Sequence, residues 1–76
     1  MRATMAFRFS PPLLRALREE RGDTPEKLAA RVPCHPVTLK MWESGHRTPS
    51  LQAVCKLASA LKCEPGDLFE RVRGAA

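Results

Sequence analysis

An all-α fold, a compact bundle of five short helices, is what this sequence predicts, and two observations carry the prediction. Prolines sit immediately after side chains able to cap a helix, at Ser10-Pro11, Thr24-Pro25 and His35-Pro36, and apolar residues recur at helical spacing. Proline has no N–H and a fixed φ, so the first turn of a helix accepts it and the interior does not. No stretch reads as an alternation of apolar and polar residues over a strand length.

The helices are predicted at about 11–21, 25–32, 36–44, 50–61 and 65–72. The first carries Leu13, Leu14 and Leu17 on one stripe and stops before Gly22, which can take the left-handed conformation that ends helices. In the second, Thr24 is the cap and Leu28, Ala29 and Val32 form the stripe. The third opens at His35-Pro36, turns Leu39 and Trp42 inward and ends at Gly45. For the fourth, Ser50 is the cap, and Leu51, Val54, Cys55, Ala58 and Leu61 share one stripe, which makes it the best candidate for a core helix. The fifth follows Glu64-Pro65 and carries Leu68, Phe69 and Val72. Residues 1–9 and 73–76 are expected to be tails around one domain spanning 10–72.

Composition narrows the functions open to the chain. Seventy-six residues, 43% hydrophobic and 28% charged, make one small domain. No apolar run nears the roughly 18 residues that span a bilayer, and residues 1–10 hold no continuous apolar signal region, so no membrane contact and a cytoplasmic location are expected. Cys34, Cys55 and Cys63 contain no C-x-x-C, which fits neither a disulfide framework nor a zinc site; they read as reduced thiols used as small core residues. His35 and His46 add no chelating spacing, so no metal and no cofactor are expected. No nucleophile, acid–base pair or phosphate loop is present, which argues against an enzyme and leaves no catalytic residue to name.

The formal charge is +5 and is unevenly placed: residues 1–18 carry +4, 19–26 carry −3, 27–62 carry +5 with Glu43 as their one acid, and 63–76 carry −1. The chain has no Ile, Asn or Tyr and prefers Arg over Lys, the pattern that codon bias in a GC-rich genome would produce, so the arginine excess is not by itself a sign of function. The basic middle of the chain is also where the second and third helices are separated by only Pro33, Cys34 and His35, a link suited to two helices crossing steeply in a helix-turn-helix. At 100° per residue, Val37, Lys40, Met41 and Ser44 point away from Leu39 and Trp42, with Pro36 and Thr38 flanking them.

The segment from Leu14 to Phe69 resembles the phage repressor and Cro family of helix-turn-helix regulators. The resemblance rests on Leu17-Arg18 with Gly22, Leu28-Ala29, the Leu39…Trp42-Glu43-x-Gly45 run, Arg47-Thr48-Pro49-Ser50-Leu51, and Ala60-Leu61 leading to Asp67-Leu68-Phe69. It implies a λ-repressor-like, five-helix DNA-binding domain of a bacterial transcriptional repressor. The third helix, about 36–44, would enter the major groove of double-stranded DNA, as a homodimer on a two-fold symmetric operator. It also implies a structural ion pair between Arg18 and Glu43. Pro25 stands where the family commonly has a phosphate-gripping Gln, Asp23 replaces a usually apolar residue, and Pro33 replaces the turn glycine.

The DNA-binding residues are expected to be Pro36, Val37, Thr38, Lys40, Met41, Ser44, His46 and Arg47. Pro36 and Val37 either meet thymine methyls or are a helix start and an exposed valine, and His46 and Arg47 either contact phosphates or lie in a solvated loop. An exposed Met41 also suits an adaptable protein interface, which keeps open a second reading: a helical adaptor or antitoxin-like module with a protein partner. Dimer contact is assigned to Leu57, about 90° off the core stripe of the fourth helix, and to Leu68, Phe69 and Val72, with Phe69 alternatively closing the monomer core.

Overall fold

The computed structural model describes residues 4–74, with side chains over 6–72. Strand β1 (Thr4–Phe9) leads into helices α1 (Pro11–Glu20), α2 (Pro25–Arg31), α3 (Pro36–Ser44) and α4 (Leu51–Leu61), a 3₁₀ turn (Pro65–Leu68) and strand β2 (Phe69–Gly74). Each helix starts where capping chemistry places it. Ser10, Thr24 and Ser50 accept from the amides of Leu13, Lys27 and Ala53, and Nδ1 of His35 accepts from the Val37 amide at 3.1 Å.

The bundle is therefore four α-helices and a two-stranded sheet rather than five helices. β1 and β2 pair antiparallel from Thr4↔Gly74 to Phe9↔Phe69. Residues 4–9, expected to be a tail, are one strand, and the predicted fifth helix stops at Leu68 and continues as the other. The cause lies some sixty residues away in sequence: each strand completes the other's backbone hydrogen bonds, which no local spacing reports. Residues 1–3 and 75–76 of the expected tails lie outside the described residues.

The core draws Leu14 from α1, Leu28, Ala29 and Val32 from α2 and its end, Leu39 and Trp42 from α3, and Leu68 from the 3₁₀ turn. From α4 come Val54, Leu57, Ala58 and Leu61. This corrects two assignments. Leu57 and Leu68 are fully buried within one chain, so neither can face a second copy. Conversely Leu51, 74% accessible, and Cys55 are exposed. The true core stripe of α4 is centred about 50° from the predicted one, because the contact with α2 and the 3₁₀ turn selects Leu57 over Leu51. Cys34 and Cys63 are half-buried against the core, where burial pushes both thiols up from their ordinary pKa.

The turn from α2 to α3 closes without glycine. Val32 and Cys34 donate their amides to the carbonyls of Leu28 and Ala29, and the Val32–Pro33 bond is cis. Among the described residues positive φ occurs only at Gly22, Gly45 and Lys62. Gly45 at φ +82° ends α3, a conformation costly for residues with a Cβ.

Candidate nucleic-acid interface

The third helix is held by its inner side. Leu39 and Trp42 enter the core, and Glu43, on the same side, meets Arg18 from α1 in a bidentate pair: Nε to Oε2 at 2.6 Å and Nη2 to Oε1 at 3.0 Å. The remaining Arg18 donor, Nη1, reaches the Asp23 carbonyl at 2.8 Å. Arg15 approaches Glu43 from the rim at 3.4 Å. The two central side chains retain only 10% and 3% of their accessibility, and the Glu43 carboxylate holds the Arg18 guanidinium above its ordinary pKa. A paired charge at this depth must stay paired, so the contact fixes the rotation of α3 about its axis.

That rotation presents the outer side to solvent. Val37 (49% accessible), Lys40, Met41 (36%) and Ser44 are exposed, and Pro36 and Thr38 are half-exposed beside them. Past Gly45, His46 and Arg47 are exposed as well. The structure thus brings all eight expected residues onto one continuous surface made by α3 and the loop that follows it.

Three of those side chains, Lys40, Ser44 and His46, have protein partners. Ser44 Oγ donates to the Met41 carbonyl and lies 2.7 Å from Nδ1 of His46, which ties His46 to the end of α3. The Arg47 amide donates to the same Met41 carbonyl at 3.3 Å, so the loop stays close to the helix. Lys40 Nζ lies 3.3 Å from Glu26 of α2 in an exposed pair, and the Glu26 carboxyl sits below its usual range through its own backbone amide and then through Lys40. Water screens so exposed a pair, and Lys40 can exchange Glu26 for a phosphate or a base edge at little cost.

Other basic residues are engaged in the scaffold. Arg31 pairs with Asp23, and both it and Arg21 donate to carbonyls at the end of α4, those of Ala60 and Leu61. This explains Asp23 at a position where an apolar residue was expected. Sequence reasoning missed the Lys40–Glu26 pair, although Glu26 was visible as the single acid beginning the second helix. Among the described residues no group of three or more His, Cys, Asp or Glu is placed to hold a metal.

A helix locked from behind, exposed in front and joined to the preceding helix by the four-residue link 32–35 defines a helix-turn-helix domain. A helix-turn-helix family model of the Cro/C1 type matches residues 14–68, and the chain belongs to that family, whose members are DNA-binding regulators. Among solved structures, the chain is similar to the restriction-modification controller protein C.AhdI from Aeromonas hydrophila. The two share 36% identity over 76% of this chain and 88% of that one, with a TM-score of 0.75. No curated protein matches the sequence. No described helix is long and apolar enough to cross a membrane.

Proposed function

We propose that the protein is a sequence-specific transcriptional regulator that binds double-stranded DNA with α3 in the major groove and works as a homodimer on a two-fold symmetric operator in the bacterial cytoplasm. The observation that carries this reading is the division of α3 into a side locked by Leu39, Trp42 and the Arg18–Glu43 pair and a side left free. Thr38 and Lys40 are the side-chain hydrogen-bonding groups facing the bases, and Val37 and Met41 offer apolar contact suited to thymine methyls. Arg47 and His46 stand at the rim as phosphate contacts. The likeness to a controller protein supports regulation as the task.

Two copies are needed because one domain buries only about 600–1,000 Å² on DNA, too little to single out a rare site. A second reading, a protein-binding module, is favoured by the exposure of Val37 and Met41. Fluorescence anisotropy with duplexes selected from random sequence separates the two. A regulator loses affinity steeply with salt; Arg47→Ala lowers the salt slope by about one unit, and Lys40→Ala relaxes preference at a base position. Binding that ignores salt, or both variants matching the parent, rejects the groove assignment.

A further inference from the structure

The two strands lie apart from the proposed reading surface and are not explained by it. Among the described residues the sheet has two strands, and each presents one edge of unpaired backbone groups, a ready template for another strand. Two-stranded sheets rarely persist in water without a third strand or a covering layer. Here only the root is covered: Phe9 and Phe69 pack edge-to-face at 6.3 Å against the core. Phe7, one step farther out on the same face, is 64% accessible, with the Arg71 guanidinium 5.9 Å from its ring centre.

We propose that the free edge of β1 pairs antiparallel with β1 of a second copy of this chain, forming a continuous four-stranded sheet in the order β2–β1–β1–β2. The inference rests on reading the protein as a two-fold dimer and assigns the surface that joins it. Charge selects the edge. A two-fold axis between antiparallel strands stands normal to the sheet, so residues of equal parity oppose each other. Joining β2 to β2 sets Glu70 against Glu70, Arg71 against Arg71, or Arg71 against Arg73, according to the register, and like charges directly opposite repel.

Joining β1 to β1 about Phe7 meets no such conflict. Arg8, the strand's one charge, falls opposite Ala6 of the second copy, and the two Phe7 rings meet across the axis. Of the devices that blunt an edge β1 carries only the charge of Arg8: it holds no proline, and its register with β2 runs unbroken from Thr4 to Phe9. Pro11, two residues beyond β1, has its Cγ 3.8 Å from where a Cβ on Gly45 would stand, at the end of α3. A sheet shared by two chains therefore ties their two reading helices together through α1.

Sedimentation equilibrium without DNA tests the pairing. The parent chain should dimerise at micromolar concentration, and Phe7→Glu, at an exposed position that leaves the helical melt unchanged, should weaken association at least about tenfold. With Cys55→Ser as background, Phe7→Cys should give a disulfide-linked dimer under mild oxidation, and Arg71→Cys, three strand spacings from its copy, should not. A dimer indifferent to Phe7→Glu, linking through Arg71→Cys, or linking in the parent through Cys55 overturns the β1 assignment while leaving dimerisation intact. A monomer that also binds a palindromic duplex one-to-one overturns the dimer reading as well.

Discussion

Two arginine–glutamate pairs of almost equal length mark the two regions of this molecule. Arg18–Glu43, at 2.6 Å, lies inside the helical body, and Arg8–Glu70, at 2.5 Å, lies on the ribbon formed by β1 and β2. The first pair is nearly closed to solvent, and each guanidinium nitrogen of Arg18 donates to a protein oxygen; in the second, Arg8 keeps 67% of its side-chain accessibility and Glu70 keeps 36%. Water already satisfies the ribbon pair, so it contributes little, whereas loss of Arg18 from the body pair leaves the buried Glu43 only the rim contact with Arg15. Distance alone says nothing of an ion pair's role; burial decides it.

Substitution of each arginine breaks the comparison at its two ends. Arg18→Met leaves the buried Glu43 with only the longer rim contact from Arg15 and should cost about 3–5 kcal/mol, read as a lowered thermal midpoint with weaker DNA binding, because the rotation of α3 is released. Between the extremes lies the aromatic root of the ribbon: a double-mutant cycle of Phe9→Ala and Phe69→Ala should give a coupling of about 0.5–1.5 kcal/mol in denaturant melts. Arg8→Met should change stability by no more than about 1 kcal/mol. If Arg8→Met cost as much as Arg18→Met, the ribbon would be covered in solution by something beyond this chain.

The smallest expected effect tests a third pair. The Arg31 guanidinium holds the Asp23 carboxyl below its usual range, so Asp23 stabilises the fold above the unfolded carboxylate pKa of about 4 and loses that contribution as pH falls through the lowered folded value. Melts of the parent and of Asp23→Asn should therefore differ at pH 7 and converge in strong acid. A gap that stays constant with pH removes the ionised carboxylate from the explanation.

What could be read in advance follows the range of the forces involved. Helix starts were legible because capping is local: a side chain and an amide two or three residues on, with proline in the first turn. The inner and outer sides of α3 were legible because Leu39, Trp42 and Glu43 share one arc of a short helix. β2 was not: Leu68, Phe69 and Val72 fit a helical stripe, and only pairing with residues 4–9 makes that segment a strand. The β1 segment alternates at Met5, Phe7 and Phe9, but Ala6 between them blurs the pattern. Leu57 was misread for a related reason, since an error of half a residue's rotation on α4 exchanges it with Leu51.

The prolines that open α1, α2 and α3 carry a consequence that no contact in the folded chain displays. At the first helical position Pro11, Pro25 and Pro36 already hold the φ that the helix requires. Each removes backbone freedom from the unfolded ensemble, and a proline at a compatible site stabilises by about 0.4–1 kcal/mol for that reason. Against a total stability of about 5–15 kcal/mol for a small domain, three such positions supply a substantial share through conformations that the disordered chain is denied.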